Sequence, residues 1–119
     1  MKLHKNLNHR AFRAIEKGEK TIEIRANKAR YNQPSFNTAK PGDTIKFTNT
    51  ETQGSILCEI KSIKLYDSVK DLLLSEGTKK TLSSTDNLKE GVESIHSISN
   101  YKEYITRNGV FAIQIELKN

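Results

Sequence analysis

Apolar and polar positions alternate most plainly from Gly18 to Arg25, where the chain reads Gly-Glu-Lys-Thr-Ile-Glu-Ile-Arg. Ile22 and Ile24 alternate with Thr21, Glu23 and Arg25, which is the period of a strand with one buried face. Lys20 falls in register with the isoleucines, so it begins the inward-pointing series where a sheet meets solvent. Desolvation lowers the pKa of a lysine there, and a neutral amine is a base or nucleophile. The polar row has a blander reading, with Glu23 and Arg25 as an exposed same-face pair of little energetic weight.

The same periods organise the rest of the chain. Leu3 and Leu7 predict a short first strand over Lys2 to Leu7, and Asn8 is a good N-cap for a helix starting at His9. That helix has Ala11, Phe12, Ala14 and Ile15 on one face, and Gly18 stands where its C-cap belongs. After a Pro41-Gly42-Asp43 turn, Thr44 to Thr48 predicts a strand with Ile45 and Phe47 inward. Ser55 to Tyr66 predicts a longer one. Its Ile56, Cys58 and Ile60 share one parity and Ile63 and Leu65 the other, so a bulge near Lys61 and Ser62 would bury both sets.

Asp67 is placed to cap a helix through Leu74, with Val69, Leu72 and Leu73 inward and Gly77 ending it. Lys79 to Thr85 reads as a loop, and a further helix runs from Asp86 to about His96 with Gly91 inside it. Asn100 to Asn108 fits a short helix or an ordered connection, in which Tyr101 and Tyr104 pack the end of the sheet or face a cleft. Gly109 to Leu117 is the last strand. Strand, helix, three strands, helices, strand is an α+β order, read as one domain over residues 1–119.

Ala26 to Lys40 carries no sustained apolar period and has Pro34 in its middle, so it reads as a long loop. It interleaves Lys28 and Arg30 with Tyr31 and Phe36. Cations suit phosphates and aromatic faces suit bases; the alternative is a surface loop anchored by its two aromatics. Charge points the same way: 20 Lys and Arg against 14 Asp and Glu leave a net +6, which favours polyanionic partners. The basic residues Lys20, Arg25, Lys28, Arg30, Lys40 and Lys46 crowd the first half, so one end should be more positive.

Other chemistry is thinly represented. One cysteine, Cys58, rules out a disulfide within the chain and a thiolate cluster, fits a reducing compartment, and alternates with isoleucines as a core residue. His4, His9 and His96 are too scattered for a metal set, and no metal or cofactor is expected. No apolar run approaches the roughly 18 residues of a membrane span, and Met1 to Arg10 lacks a signal-peptide segment. A cytoplasmic protein, monomeric or weakly dimeric, is the expectation.

Three blocks in order resemble a known family. They are Phe12 and Ile15 before Gly18 to Arg25, then Lys40-Pro-Gly-Asp-Thr-Ile-Lys-Phe47, and finally Gly109-Val-Phe-Ala-Ile113. The pattern is similar to the ASCH domains of the PUA-like superfamily and spans almost the whole chain. The resemblance implies a bent mixed β-sheet forming a pseudo-barrel with flanking helices, a cleft beside the Gly-x-Lys-Thr strand, and RNA or a modified nucleoside or nucleotide as ligand. Some small bacterial ASCH proteins are amidohydrolases acting on N4-acetylcytidine. They use the lysine matching Lys20, a threonine where this chain has Glu23, and a glutamate after the third strand, for which Glu76, Glu90 and Glu93 are the candidates here.

Two functions therefore stand side by side. In the first, a binding module places Arg25, Lys28 and Arg30 on phosphates and Tyr31 or Phe36 on a base, with Thr21 also at the ligand. In the second, Lys20 and Glu23 hydrolyse the acyl amide of a nucleoside, Glu23 as base on a water and Lys20 against the developing oxyanion. On a straight strand Lys20 and Glu23 point to opposite faces, so the second function requires a bend or bulge between them.

Overall fold

The computed structural model describes residues 1–118. Its elements follow the expected order: β1 (Lys2–Leu7), α1 (His9–Glu16), β2 (Ile22–Ala26), β3 (Thr44–Asn49), β4 (Ser55–Tyr66), α2 (Val69–Glu76), α3 (Leu88–His96), α4 (Tyr101–Asn108) and β5 (Val110–Lys118). The strands form one sheet in the order β1-β3-β4-β5-β2, with β1 parallel to β3 and every other pair antiparallel. The sheet curls into a half-barrel without closing, so β1 and β2 are its two free edges.

The curl is built where the parity of β4 changes. Its register with β5 slips between Ile60 and Ser62, an irregularity that bends the strand. The expected gain in burial is only half realised: Ile63 packs against the core, but Leu65 is 55% exposed. Residues flanking the slip thus fold inward while the far end of β4 runs out into solvent.

Two apolar clusters share the sheet. Leu3, Phe12, Ile15, Ile45, Phe47, Ile60 and Ile113 fill the concave side under α1. Ile22, Ile24, Val69, Leu72, Ile105 and Ala112 fill the opposite side under the other helices. Strand β2 lies between the two clusters and is buried on both faces, which corrects the expectation of one wet face. Its Glu23 and Arg25 pair with Ile113 and Phe111 on the concave side. The bland surface-pair reading fails for Glu23, which is 5% exposed.

Caps follow local chemistry. Asn8 accepts from the Ala11 amide as expected, whereas α2 is capped by Ser68, not Asp67. Asn100 to Asn108 resolves into α4, which ends at Gly109 with φ +89°. A Cβ at Gly109 would lie 2.6 Å from the Tyr66 carbonyl oxygen, a backbone atom that cannot swing aside. Gly109→Ala is therefore expected to destabilise the protein by about 1–3 kcal/mol. Urea unfolding checks this, and a midpoint equal to that of the unsubstituted chain would mean the α4–β5 junction relaxes freely.

Candidate nucleoside cleft at the sheet seam

The free edges of β1 and β2 approach each other without pairing, and a cleft of about 340 Å³ opens along this seam. Asn6 and Asn8 lie on one side, Glu23 and Arg25 on the other, and Thr81 with Ser83 closes one end. The guanidinium of Arg25 spans the gap, its Nη2 donating to the Asn6 carbonyl at 3.1 Å.

How Lys20 reaches the floor is a matter of local backbone. α1 ends at Gly18, whose φ of +78° turns the chain so that the Glu19 and Lys20 amides both donate to the Ala14 carbonyl. Thr21 and Ile22 then donate to the Lys80 carbonyl, and regular strand begins only at Ile22. Lys20 therefore precedes the alternation instead of starting it. This is a departure from a straight strand of the kind that cooperation between Lys20 and Glu23 needs, and it brings Lys20 Nζ to 3.5 Å from Glu23 Oε1.

The result is a buried row of charges. Glu23 Oε2 accepts from Arg25 Nε at 2.9 Å and lies 2.8 Å from its Nη2, a two-pronged ion pair. Lys20 is 5% exposed, and its ammonium donates to the carbonyls of Ile22 and Thr81 while standing within ion-pair range of Glu23. Burial pushes the Lys20 amine below its ordinary value, against the pull of Glu23. Burial pushes the Glu23 carboxyl up, but the charges of Arg25 and Lys20 outweigh it and hold the group below its usual range. Burial opposes the Arg25 charge as well; Glu23, foremost, and Tyr101 raise its pKa above the ordinary value.

The other expected residues divide. Thr21 does not line the cleft; it borders a separate depression with Lys80 and Gln114. Lys28 and Arg30 line a second, smaller groove on the far side of Arg25. Tyr31 lines neither and is 64% exposed. Phe36 is buried and packed against Phe111 with ring centroids 6.3 Å apart, which anchors the loop, and it also lines the second groove with Lys28 and Arg30. Neither Glu76, Glu90 nor Glu93 lines the cleft, and Glu76 is engaged by Tyr66 and Lys64. Glu23 is thus the one carboxylate among the described residues lining it.

For Tyr101 both placements open to the sequence hold, and two further contributors, Thr81 and Lys5, escaped it. Tyr101 packs under the sheet and also lines the cleft beside Arg25. Thr81, 1% exposed, supplies only a carbonyl, and a polar loop carries no sequence signal for that role. Lys5 sits at the second groove, and strand alternation alone could have placed it on the inward face with Leu3 and Leu7. Burial, with the charge of Glu23 adding to it, pushes the Cys58 thiol up to about 11, in keeping with a core residue and not a nucleophile. No group of three or more His, Cys, Asp and Glu is placed to hold a metal among the described residues, and no helix there is long and apolar enough to cross a membrane.

Removing Glu23 strands two buried cations, so Glu23→Ala is expected to cost about 3–5 kcal/mol, measured by denaturant unfolding at neutral pH. Acid should erase part of the difference. The folded-state pKa of Glu23 lies below its unfolded value of about 4.3, so its contribution is complete above that pH and is lost as pH falls through the folded value. The stability gap between the wild type and Glu23→Gln should therefore narrow below about pH 4. A gap that stays constant down to pH 2 would show that the carboxylate is not ionised in the folded protein.

Against known proteins, a family model described as the ASCH domain matches residues 6–119. The crystal structure of hypothetical protein PH0355 is similar at 30% identity and a TM-score of 0.82, covering 99% of this chain and 100% of that one. Protein PF0455 from Pyrococcus furiosus, solved by NMR in solution, has 26% identity and a TM-score of 0.76, covering 98% of this chain and 97% of that one. An ASCH protein from Zymomonas mobilis shares the fold at 17% identity and a TM-score of 0.63, covering 97% of this chain and 66% of that one. No curated protein matches the chain significantly. With the family model spanning nearly all of it and the curled sheet in place, the chain belongs to the ASCH domain family.

Proposed function

We propose that this ASCH domain binds RNA or a nucleotide by receiving one nucleoside unit in the seam cleft. The observation that carries the reading is the buried Lys20–Glu23–Arg25 row at the floor of a cleft of about 340 Å³. That volume sits near the roughly 300 Å³ at which small-molecule sites begin, which suits a nucleoside better than a larger ligand. The floor is polar and fixed before any ligand arrives. An ionised carboxylate accepts hydrogen bonds only, so Glu23 favours a base edge carrying an amino or imino N–H over one carrying only carbonyls. Tyr101 adds an aromatic wall at the rim.

A second reading, hydrolysis of an acyl amide on a nucleoside such as N4-acetylcytidine, is favoured by the closeness of Lys20 and Glu23. Glu23 would take a proton from water, and the resulting hydroxide would add to the acyl carbon with Lys20 holding the oxyanion. Glu23 would return that proton to the amine as the C–N bond breaks and the oxyanion collapses to the carboxylic acid. The ion pairs weigh against it. Two carbonyls already accept from Lys20, and Glu23 is held by Arg25, which lowers its strength as a base.

One experiment addresses both readings. Purified protein is titrated with short single-stranded RNA at two salt concentrations and, separately, incubated with N4-acetylcytidine while cytidine release is followed, with Lys20→Ala and Arg25→Ala alongside. Salt-sensitive RNA binding weakened at least about tenfold by Arg25→Ala, without cytidine release, is the expected result. Turnover abolished by Lys20→Ala would establish the hydrolase instead, and absence of both binding and turnover would overturn both.

A further inference from the structure

Beyond the cleft, the seam holds a second feature. On the other side of Arg25 lies a groove of about 80 Å³ lined by Lys5, Arg25, Lys28 and Arg30, with Arg25 and Tyr101 forming the wall it shares with the cleft. No carboxylate among the described residues lines it. Lys5, Lys28 and Arg30 form no salt bridge among the described residues, whereas Arg25 is committed to Glu23 on the cleft side. Clustered cations without counter-charge repel one another, and the repulsion is felt: burial, then Arg25, Lys28 and Arg30, push the Lys5 amine below its ordinary value.

The cluster is held in place by construction. Asn27, 4% exposed, accepts from the Ala29 amide and the Asn37 side chain, while its own side-chain amide donates to the Asn108 carbonyl. Asn37 accepts from the Arg30 amide, and buried Ser35 donates to the Arg30 carbonyl. Lys5 Nζ lies 5.3 Å above the Phe36 ring and Lys28 Nζ 5.7 Å above that of Tyr104. A buried amide and hydroxyl network thus fixes a loop that sets Lys28 and Arg30 beside Lys5 of β1, three cations without a salt bridge among the described residues around one small hollow. The hollow is well under the roughly 300 Å³ of a small-molecule site, so it fits a tetrahedral anion and not a ring.

We infer that the groove at Lys5, Lys28 and Arg30 is a phosphate-binding subsite joined to the seam cleft through Arg25, so that the protein takes phosphorylated nucleotides in preference to free nucleosides. The preference rests on the nucleoside reading of the cleft; the anion site itself does not. The phosphate has two sources, a terminal monoester on a mononucleotide or an internal diester of a strand.

Calorimetry with the four common ribonucleosides, their 5′-monophosphates and the corresponding dinucleoside monophosphates separates these, and inorganic phosphate followed by amide NMR shifts probes the groove alone. A phosphorylated form is expected to bind at least about tenfold tighter than its nucleoside, with that ratio falling to about one in the surface double variant Lys28→Gln/Arg30→Gln. Tighter binding of monophosphates assigns the monoester, and tighter binding of dinucleoside monophosphates assigns the diester. If no nucleoside or nucleotide binds but inorganic phosphate shifts the amides of Ala29 to Asn37, the subsite stands and the cleft reading fails. A wild-type ratio near one, or no such shift with inorganic phosphate, overturns the subsite.

Discussion

A carboxylate held between two cations, with almost no water near it, is the constraint on which this structure turns. Glu23 cannot lose either partner cheaply, because a buried charge left alone costs far more than the pair returns in water. Arg25 must therefore stay on the concave side of the sheet, and Lys20 must come to Glu23 from outside the strand. The Gly18 turn, the late start of β2 and the carbonyls of Ile22 and Thr81 all serve that arrangement.

The same constraint explains why the sheet stays open. Sheet edges invite pairing, and a barrel removes them by closure. Here the edges of β1 and β2 are bridged instead by a side chain, Arg25 reaching the Asn6 carbonyl. Had the strands paired, the cleft would be gone. A seam crossed by one guanidinium leaves a hollow on either side, and the two hollows differ in chemistry: one has a carboxylate at its floor, the other cations only. A nucleotide has a matching division into a base with hydrogen-bonding edges and an anionic phosphate.

Binding and hydrolysis place different demands on such a floor. Recognition needs donors and acceptors whose protonation does not change on contact, and a lysine fixed by two carbonyls beside a carboxylate with two cations is that kind of surface. Proton transfer needs at least one partner that is loosely held. Where the resemblance expects a threonine hydroxyl, this chain has Glu23, and the carboxylate locks the neighbouring lysine.

Much of the fold was legible in one dimension. Alternation at Ile45 and Phe47, the parity change after Ile60, the Asn8 cap and the glycines at 18 and 77 are local signals, and each element they mark is present. The same local logic failed where burial comes from partners distant in sequence. Nothing between residues 18 and 25 reveals that the curled sheet will bring its concave core against the Glu23 face of β2, so an exposed pair stayed open as a reading; nothing near Phe36 reveals Phe111. The sequence alone determined the elements, their order and the basic character of the first half, because those depend on neighbours along the chain. Only the tertiary structure decided that Lys20, Glu23 and Arg25 form one buried row and that Lys5 joins Lys28 and Arg30. Charges meet there because a curled sheet brings its two edges together, and curl is a property of all five strands at once.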